Sequence, residues 1–367
     1  MSRSGCPRAI VAALLLGAAP VASAQTLRGK AAQPSDGTGI AGVLVLLVDS
    51  TGNVVARALT NELGEYRVVA PGAGAYRVRT LRIGYHPAIS EAVELRDGSE
   101  LLWQVTLTNL PLTLDTVRVL AKARCSPYAG SSSIASVWEQ VRTALSAADL
   151  TTRDRVLYAT VVRQRRVLDP QSGRVREESS TPTSGFADRP WGTVPTDSLR
   201  RFGYVYRLRD GSTRYYAPDI DALLSEGFIQ DHCFRFASGP DSALLGVAFE
   251  PTGDRKNIPE IAGTVWLDRK SAELRRMEFG YVNLARPRYR LATGTPNASG
   301  QMDFVRMMNG GWAISNWELR LPVLKQRPRT GASSYEESNE AYVSELIVQA
   351  GVLTLVRRGQ DTLWRAR

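Results

Sequence analysis

Between residues 26 and 108, short apolar runs alternate with turn-forming residues about every ten positions. Residues 40–48 (IAGVLVLLV) are continuously apolar and end in the turn cluster DSTGN. Residues 54–60 (VVARALT), 66–69 (YRVV), 76–82 (YRVRTLR) and 101–107 (LLWQVTL) follow, with NELG as a further turn at 61–64. Short strands at that spacing predict a small antiparallel sandwich of the seven-strand type over 25–110.

After it, 112–121 (LTLDTVRVLA) alternates as a strand and a Ser-rich stretch follows, so 111–130 reads as a linker strand and loop. The period then changes. Ile134, Val137, Trp138, Val141, Ala144 and Leu145 fall on one face of a helix near 132–147. Strand texture returns at 156–167 (VLYATVVRQRRV), a polar stretch to about 198 reads as loop, and 218–224 (PDIDALL) reads as a short helix with proline at its start. Residues 243–251 form a strand, and 261–279 a hairpin in which Thr264, Trp266, Leu274, Met277 and Phe279 are the expected buried positions. The strands at 300–305 and 312–322 are joined by the turn signal NGG. The fold class expected is mainly β: a sandwich, then at 131–367 a larger antiparallel β domain with one or two helices.

Specific residues sharpen the first half. Leu27-Arg28-Gly29-Lys30, the GIAGVLV run at 39–45, the turn Thr60-x-x-x-Gly64-x-Tyr66-x-Val68, Gly74-x-Tyr76 and Ile83-Gly84-Tyr85 together resemble the carboxypeptidase regulatory-like domain, a transthyretin-like sandwich. In that pattern Gly64 supplies a turn backbone, while Tyr66 and Val68 point to one face and enter the core. The segment Leu114-Asp115-Thr116-Val117-Arg118-Val119 resembles the lead into the plug of TonB-dependent outer-membrane receptors. The remaining chain is too short for the barrel of such a transporter, which needs about 20 long strands. The helix followed by a long meander is similar to lipoprotein-carrier-type half-barrels, a likeness of architecture without a diagnostic motif.

The amino-terminal end adds location. Arg3 and Arg8, an apolar run at 9–19 and VASA before Gln25 form the three parts of a secretory signal peptide at 1–24. The run is shorter than the about 20 residues a spanning helix needs. The expectation is an exported protein of the periplasm or outer membrane, soluble or peripheral to the membrane. Cys125 and Cys233 would then meet an oxidising compartment and are expected to form a disulfide, closing a loop of about 108 residues worth about 4 kcal/mol in the chain-entropy picture. Two unpaired thiols are the alternative.

Charge and chemistry narrow the function. The formal charge is +10, and the arginines alternate with apolar residues as the solvent face of strands requires. Attraction to anionic polymers or headgroups is the sharper reading of that charge; nucleic acid is not expected, because no binding motif is present. The chain has two histidines, His86 and His232, and neither belongs to a His-x-x-Glu pair. A zinc carboxypeptidase site is therefore not expected, nor is any cofactor. No Gly-x-Ser-x-Gly turn offers a serine nucleophile. Asp219 and Asp221 sit where a helix start favours negative charge, and Asp268 sits in a hairpin turn. Tyr204, Tyr206, Tyr215, Tyr216, Trp312 and Trp317 are the residues best suited to line a ligand concavity, with core packing as their alternative role. The reading is a non-catalytic envelope protein that binds an apolar, glycan or protein ligand. The alternatives are a hydrolase of cell-wall or imported glycan or peptide, and an accessory of TonB-linked uptake.

Overall fold

The computed structural model describes residues 25–109, 132–153, 157–186, 190–208, 212–239, 241–269, 271, 273–284, 298–327 and 340–366. The expected leader and the whole of the expected linker lie outside them.

The first module comprises β1 (Thr26–Ala32), β2 (Leu44–Val48), β3 (Val54–Leu59), β4 (Glu65–Val69), β5 (Gly74–Leu81), β6 (Ala88–Ile89), β7 (Val93–Leu95), β8 (Glu100–Leu102) and β9 (Val105–Thr106). One sheet joins β4, β1 and β8, with β9 also on β1; the other runs β3-β2-β5-β6, with β7 also on β5. Leu27, Val45, Leu47, Tyr66, Val68, Tyr76, Val78 and Leu95 meet between the two sheets. The strands pair antiparallel as expected, except that β1 pairs with β8 and β9 in parallel. Gly64 has φ 78, and a Cβ there would collide with the backbone of Ala31, so the turn of the family motif requires glycine.

Strand β2 explains its own lack of alternation. Val45 and Leu47 face the sandwich core, while Leu44 and Leu46 are buried on the other face beside Val48, Leu59 and Leu81. A strand covered on both faces reads as a continuous apolar run. What covers the second face is the larger domain: helix α1 (Ser132–Arg153) packs against β2 and β3, and Ile83 is part of the larger domain's core. The junction also holds Gly84 N–H donating to Gln140 Oε1 at 3.0 Å and Arg57 beside Asp149 at 4.0 Å. Gly42 (φ 70) and Gly310 (φ 76) also meet there backbone against backbone, and a Cβ on either would collide with the other.

The larger domain is one antiparallel sheet. Its strands are β10 (Tyr158–Leu168), β11 (Val175–Phe186), β14 (His232–Ser238), β15 (Leu244–Pro251), β16 (Glu260–Asp268), β17 (Leu274–Val282), β18 (Ser299–Arg306), β19 (Trp312–Arg327), β20 (Glu340–Arg358) and β21 (Asp361–Arg365). The order β11-β10-β20-β19-β18-β17-β16-β15-β14, with β21 on β20, leaves β11 and β14 as edges, so the described sheet is open. One face is covered by α1 and by a segment containing α2 (Thr196–Phe202), the hairpin β12 (Val205–Arg207) and β13 (Thr213–Tyr215), α3 (Ile220–Leu224) and α4 (Glu226–Asp231). Trp138, Trp191, Phe228, Phe249, Phe279, Trp312 and Trp317 fill the space between.

Four helices are described: α1 and α3 are the two expected near 132–147 and 218–224, while α2 and α4 are too short to show a helical period. Asp219 caps α3 by accepting from Ala222 N–H, the structural role its position implied. The polar stretch read as loop contains β11, whose side chains are almost all exposed and so carry no apolar alternation. Pro182 sits within it, tolerated because an edge strand has an unpaired side. On β16 the buried apolar residues are Ile261, Val265 and Leu267, not Thr264 and Trp266. A bulge between Trp266 and Leu267 shifts the register, so Leu274 and Met277 share the core face although three positions apart.

Candidate functional site

The face of the sheet opposite the core carries a groove of about 640 Å³, lined by Ala262, Gly263, Thr264, Glu278, Phe279, Gly280, Ser299, Gly300, Gln301, Glu318 and Arg320. Two cross-strand rows build it. Thr264 pairs with Glu278, Glu278 with Gln301 and Gln301 with Glu318; beside them run Ala262, Gly280, Ser299 and Arg320. Both rows point away from the core because side chains alternate across a strand: the intervening Phe279 and Leu319 are buried. Ala262, Gly280 and Ser299 give the second row no bulk, so the groove is a gap left by small side chains. A Cβ on Gly280 would approach only the Ala298 carbonyl, at 3.8 Å, so nothing in the packing requires glycine there.

Beneath the floor the reverse holds. A Cβ on Gly300 would strike the ring of Phe279, which lies across that glycine on the core side.

The charges of the groove are paired. Glu318 accepts from Arg320 Nε at 2.8 Å and from Arg166 Nη2 at 3.2 Å. Glu278 faces Arg276 at 3.6 Å, and Arg276 also binds Asp303 at 2.6 Å. Glu278 and Arg320 remain about half exposed, so the walls are open to solvent.

A second polar cluster is closed. His232, at the start of β14, and Glu260, at the start of β16, are 2% and 1% exposed. Arg255, from a 3-10 turn at Gly253–Arg255, binds Glu260 through its guanidinium, Asp231 at 3.1 Å and the Arg200 carbonyl at 2.7 Å. Arg200 on α2 also donates to Asp231 at 2.9 Å, which ties α2 to the end of α4. His232 Nδ1 lies 3.0 Å from the Phe228 carbonyl and Nε2 3.3 Å from that of Ile261. A neutral imidazole has one N–H, so it serves only one of them. Burial depresses the His232 pKa to about 4 and raises that of Glu260 to about 7 against the pull of Arg255. Among the described residues Glu260 Oε2 has no hydrogen-bond partner. Tyr204 borders the same cluster, its phenol pushed up by burial.

The residues singled out from sequence fall elsewhere. Tyr204, Trp312 and Trp317 are 4%, 2% and 7% exposed and belong to the core, the alternative role of these rings. Tyr206 stacks edge-on with Tyr216 at 5.1 Å and donates to the Ser198 carbonyl, and Tyr215 meets Tyr281 at 5.2 Å. None of the six lines the groove. Cys233 is buried and engaged rather than free; Cys125 lies outside the described residues. Among the described residues no group of three or more His, Cys, Asp or Glu side chains is placed to hold a metal ion.

Residues 26–108 match the family model of the carboxypeptidase regulatory-like domain. The sandwich is therefore similar to carboxypeptidase regulatory-like domains. That domain accounts for β1 to β9, and the groove lies wholly outside it. No curated protein matches the chain. Among solved structures, a minor pilin of Streptococcus agalactiae aligns at 16% identity and TM-score 0.21, covering 27% of this chain and 49% of its own. The chain thus spans about half the length of that pilin. A putative carbohydrate-binding protein of Bacteroides uniformis aligns at 9% identity and TM-score 0.20, covering 62% of this chain and 90% of its own. A LolA superfamily protein of Nitrosomonas europaea aligns at 10% identity and TM-score 0.22, covering 62% and 94%. TM-scores at this level do not establish a shared fold.

Proposed function

We propose that this chain is an exported, non-catalytic binding protein of the cell envelope, whose larger domain takes a polar ligand in the groove between β16 and β19. The observation that carries the reading is the groove itself, a space of about 640 Å³ lined by Thr264, Glu278, Ser299, Gln301, Glu318 and Arg320. Small-molecule sites occupy about 300–1,000 Å³. The space between sheet and helices is packed with aromatic side chains, which argues against an apolar ligand there. Both groove carboxylates sit against arginine, an arrangement suited to holding a ligand rather than to donating a proton. The leader-like residues 1–24 support export, and among the described residues no helix is long and apolar enough to cross a membrane.

The test is thermal-shift screening of the purified chain against saccharides, muropeptides, peptides and lipids, beside Gly280→Phe, whose Cβ would come no closer than 3.8 Å to a neighbouring atom. A polar compound is expected to raise the melting temperature of the wild type and to leave Gly280→Phe unmoved. Stabilisation by lipids alone, or equal stabilisation of both proteins, refutes the groove as the binding site. Release of new reducing ends or amines from the substrates would instead place the protein among hydrolases.

Export would bring Cys125 and Cys233 into an oxidising compartment, where the proposed pairing ties the segment before α1 to β14. The mature protein, unfolded without reductant, is then expected to show no free thiol in a colorimetric titration. Two thiols per chain would rule the pairing out.

A further inference from the structure

We infer that the groove is a saccharide site, selective for neutral, hydroxyl-rich ligands; the inference rests on the binding role proposed above and names its ligand class. Three features of the lining argue for it.

The first is charge balance. Each carboxylate already has a guanidinium: Glu318 has Arg166 and Arg320, and Glu278 has Arg276. An anionic ligand recruiting Arg320 would strip Glu318 of a partner, and a cationic one recruiting Glu318 would do the same to two arginines. A neutral hydroxyl can bridge such a pair, accepting from the guanidinium and donating to the carboxylate, with no charge left over.

The second is the order of donors and acceptors. Across the first row they run Thr264 hydroxyl, Glu278 carboxylate, Gln301 amide and Glu318 carboxylate, and the second row adds the Ser299 hydroxyl and the Arg320 guanidinium. Adjacent strands are about 4.8 Å apart, so the row extends over about 14 Å, longer than one sugar ring. Gln301, with two donors and an acceptor between two carboxylates, meets vicinal hydroxyls, each of which both gives and accepts a hydrogen bond.

The third is the floor. Ala262, Gly280 and Ser299 project no long side chain, so a ring can lie flat across three strands. Among the described residues the one aromatic in the lining, Phe279, is 4% exposed and directed to the core, so these residues offer no stacking platform for a nucleobase and no apolar wall for an acyl chain.

The test is isothermal titration calorimetry of the wild type, Gln301→Ala and Gly280→Phe with three probes: a set of neutral oligosaccharides, an oligogalacturonate and a muramyl peptide. At least one neutral oligosaccharide is expected to bind, with affinity changing less than about threefold between about 50 mM and about 500 mM salt. Gln301→Ala is expected to weaken it about tenfold and Gly280→Phe to abolish it. Binding of the oligogalacturonate or the muramyl peptide alone, lost in Gly280→Phe, overturns the neutral-saccharide inference and leaves the groove as a binding site. Binding by no probe, or saccharide binding unchanged in both variants, overturns both. Should Gly280→Phe fail to fold by circular dichroism, Gln301→Ala, a surface change, still decides.

Discussion

Replacing His232 by glutamine is expected to make the protein lose stability as pH rises, and replacing Glu260 by glutamine to make it lose stability as pH falls. The two buried groups titrate in opposite senses. Glu260 has a folded pKa of about 7 against 4.5 unfolded, so between those values the folded state holds the extra proton. Its contribution is fully present below pH 4.5 and is lost as pH climbs through 7. His232 has a folded pKa of about 4 against 6.5 unfolded, so in its window the unfolded state holds the extra proton. Its contribution is fully present above pH 6.5 and is lost as pH falls through 4.

Together they cancel. Near pH 5.5 each state of the wild type carries one proton on the pair, on Glu260 when folded and on His232 when unfolded. Removing either partner exposes the tilt of the other, about 3 kcal/mol across its window. The groups facing the pair, Arg255, Asp231, Arg200 and Tyr204, stay in place in both variants. Urea midpoints measured from about pH 4 to 7.5, each taken as a difference from wild type, check the result. If both variants slope in the same direction, the opposed titration of the pair is wrong.

The second large effect belongs to the junction. Gly42→Ala is expected to cost about 3 kcal/mol, because it adds a left-handed backbone penalty of about 1–2 kcal/mol to a collision with Gly310 that the packed junction must absorb. Gly52→Ala is the control: φ is 90, but a Cβ there meets nothing within 4 Å, so only the backbone penalty is expected. Urea unfolding gives the two losses, and hydrogen exchange at β2 and α1 is expected to quicken only in Gly42→Ala. Equal losses and equal exchange would mean that the two modules are not held together at this point.

The sandwich was legible because its signals are local. A turn that needs Gly64 and a strand pair that buries Tyr66 and Val68 are written within a few residues, and so is the apolar stripe of α1. Other elements escaped for physical reasons. Strand β11 has polar residues on both faces, so it offers no alternation to read. On β16 the period of two is unbroken, but its core phase is Ile261, Val265 and Leu267, which leaves Thr264 and Trp266 on the outer face; the register shift lies on β17, where Arg275 is the extra residue.

The groove was illegible for a different reason. It consists of side chains that are missing, at Ala262, Gly280 and Ser299, and such residues look like weak strand formers until their register across β16, β17 and β18 is known. Aromatic residues drew attention as ligand contacts because rings serve cores and sites equally well; burial alone separates the roles, and it assigned Trp312 and Trp317 to the core. The partners of His232 were hidden by distance along the chain, since Glu260 and Arg255 reach it only through the pairing of β14, β15 and β16.

The two-sided burial of β2 restricts how this architecture can be recombined. Leu44, Leu46, Leu59 and Leu81 form a face that an independent sandwich would leave polar, and here it is shaped to α1. A sandwich of the same family taken from another protein would bring the right core and the wrong back. Shuffling at this boundary therefore has to carry both surfaces together, and the two modules are constrained to change as a pair.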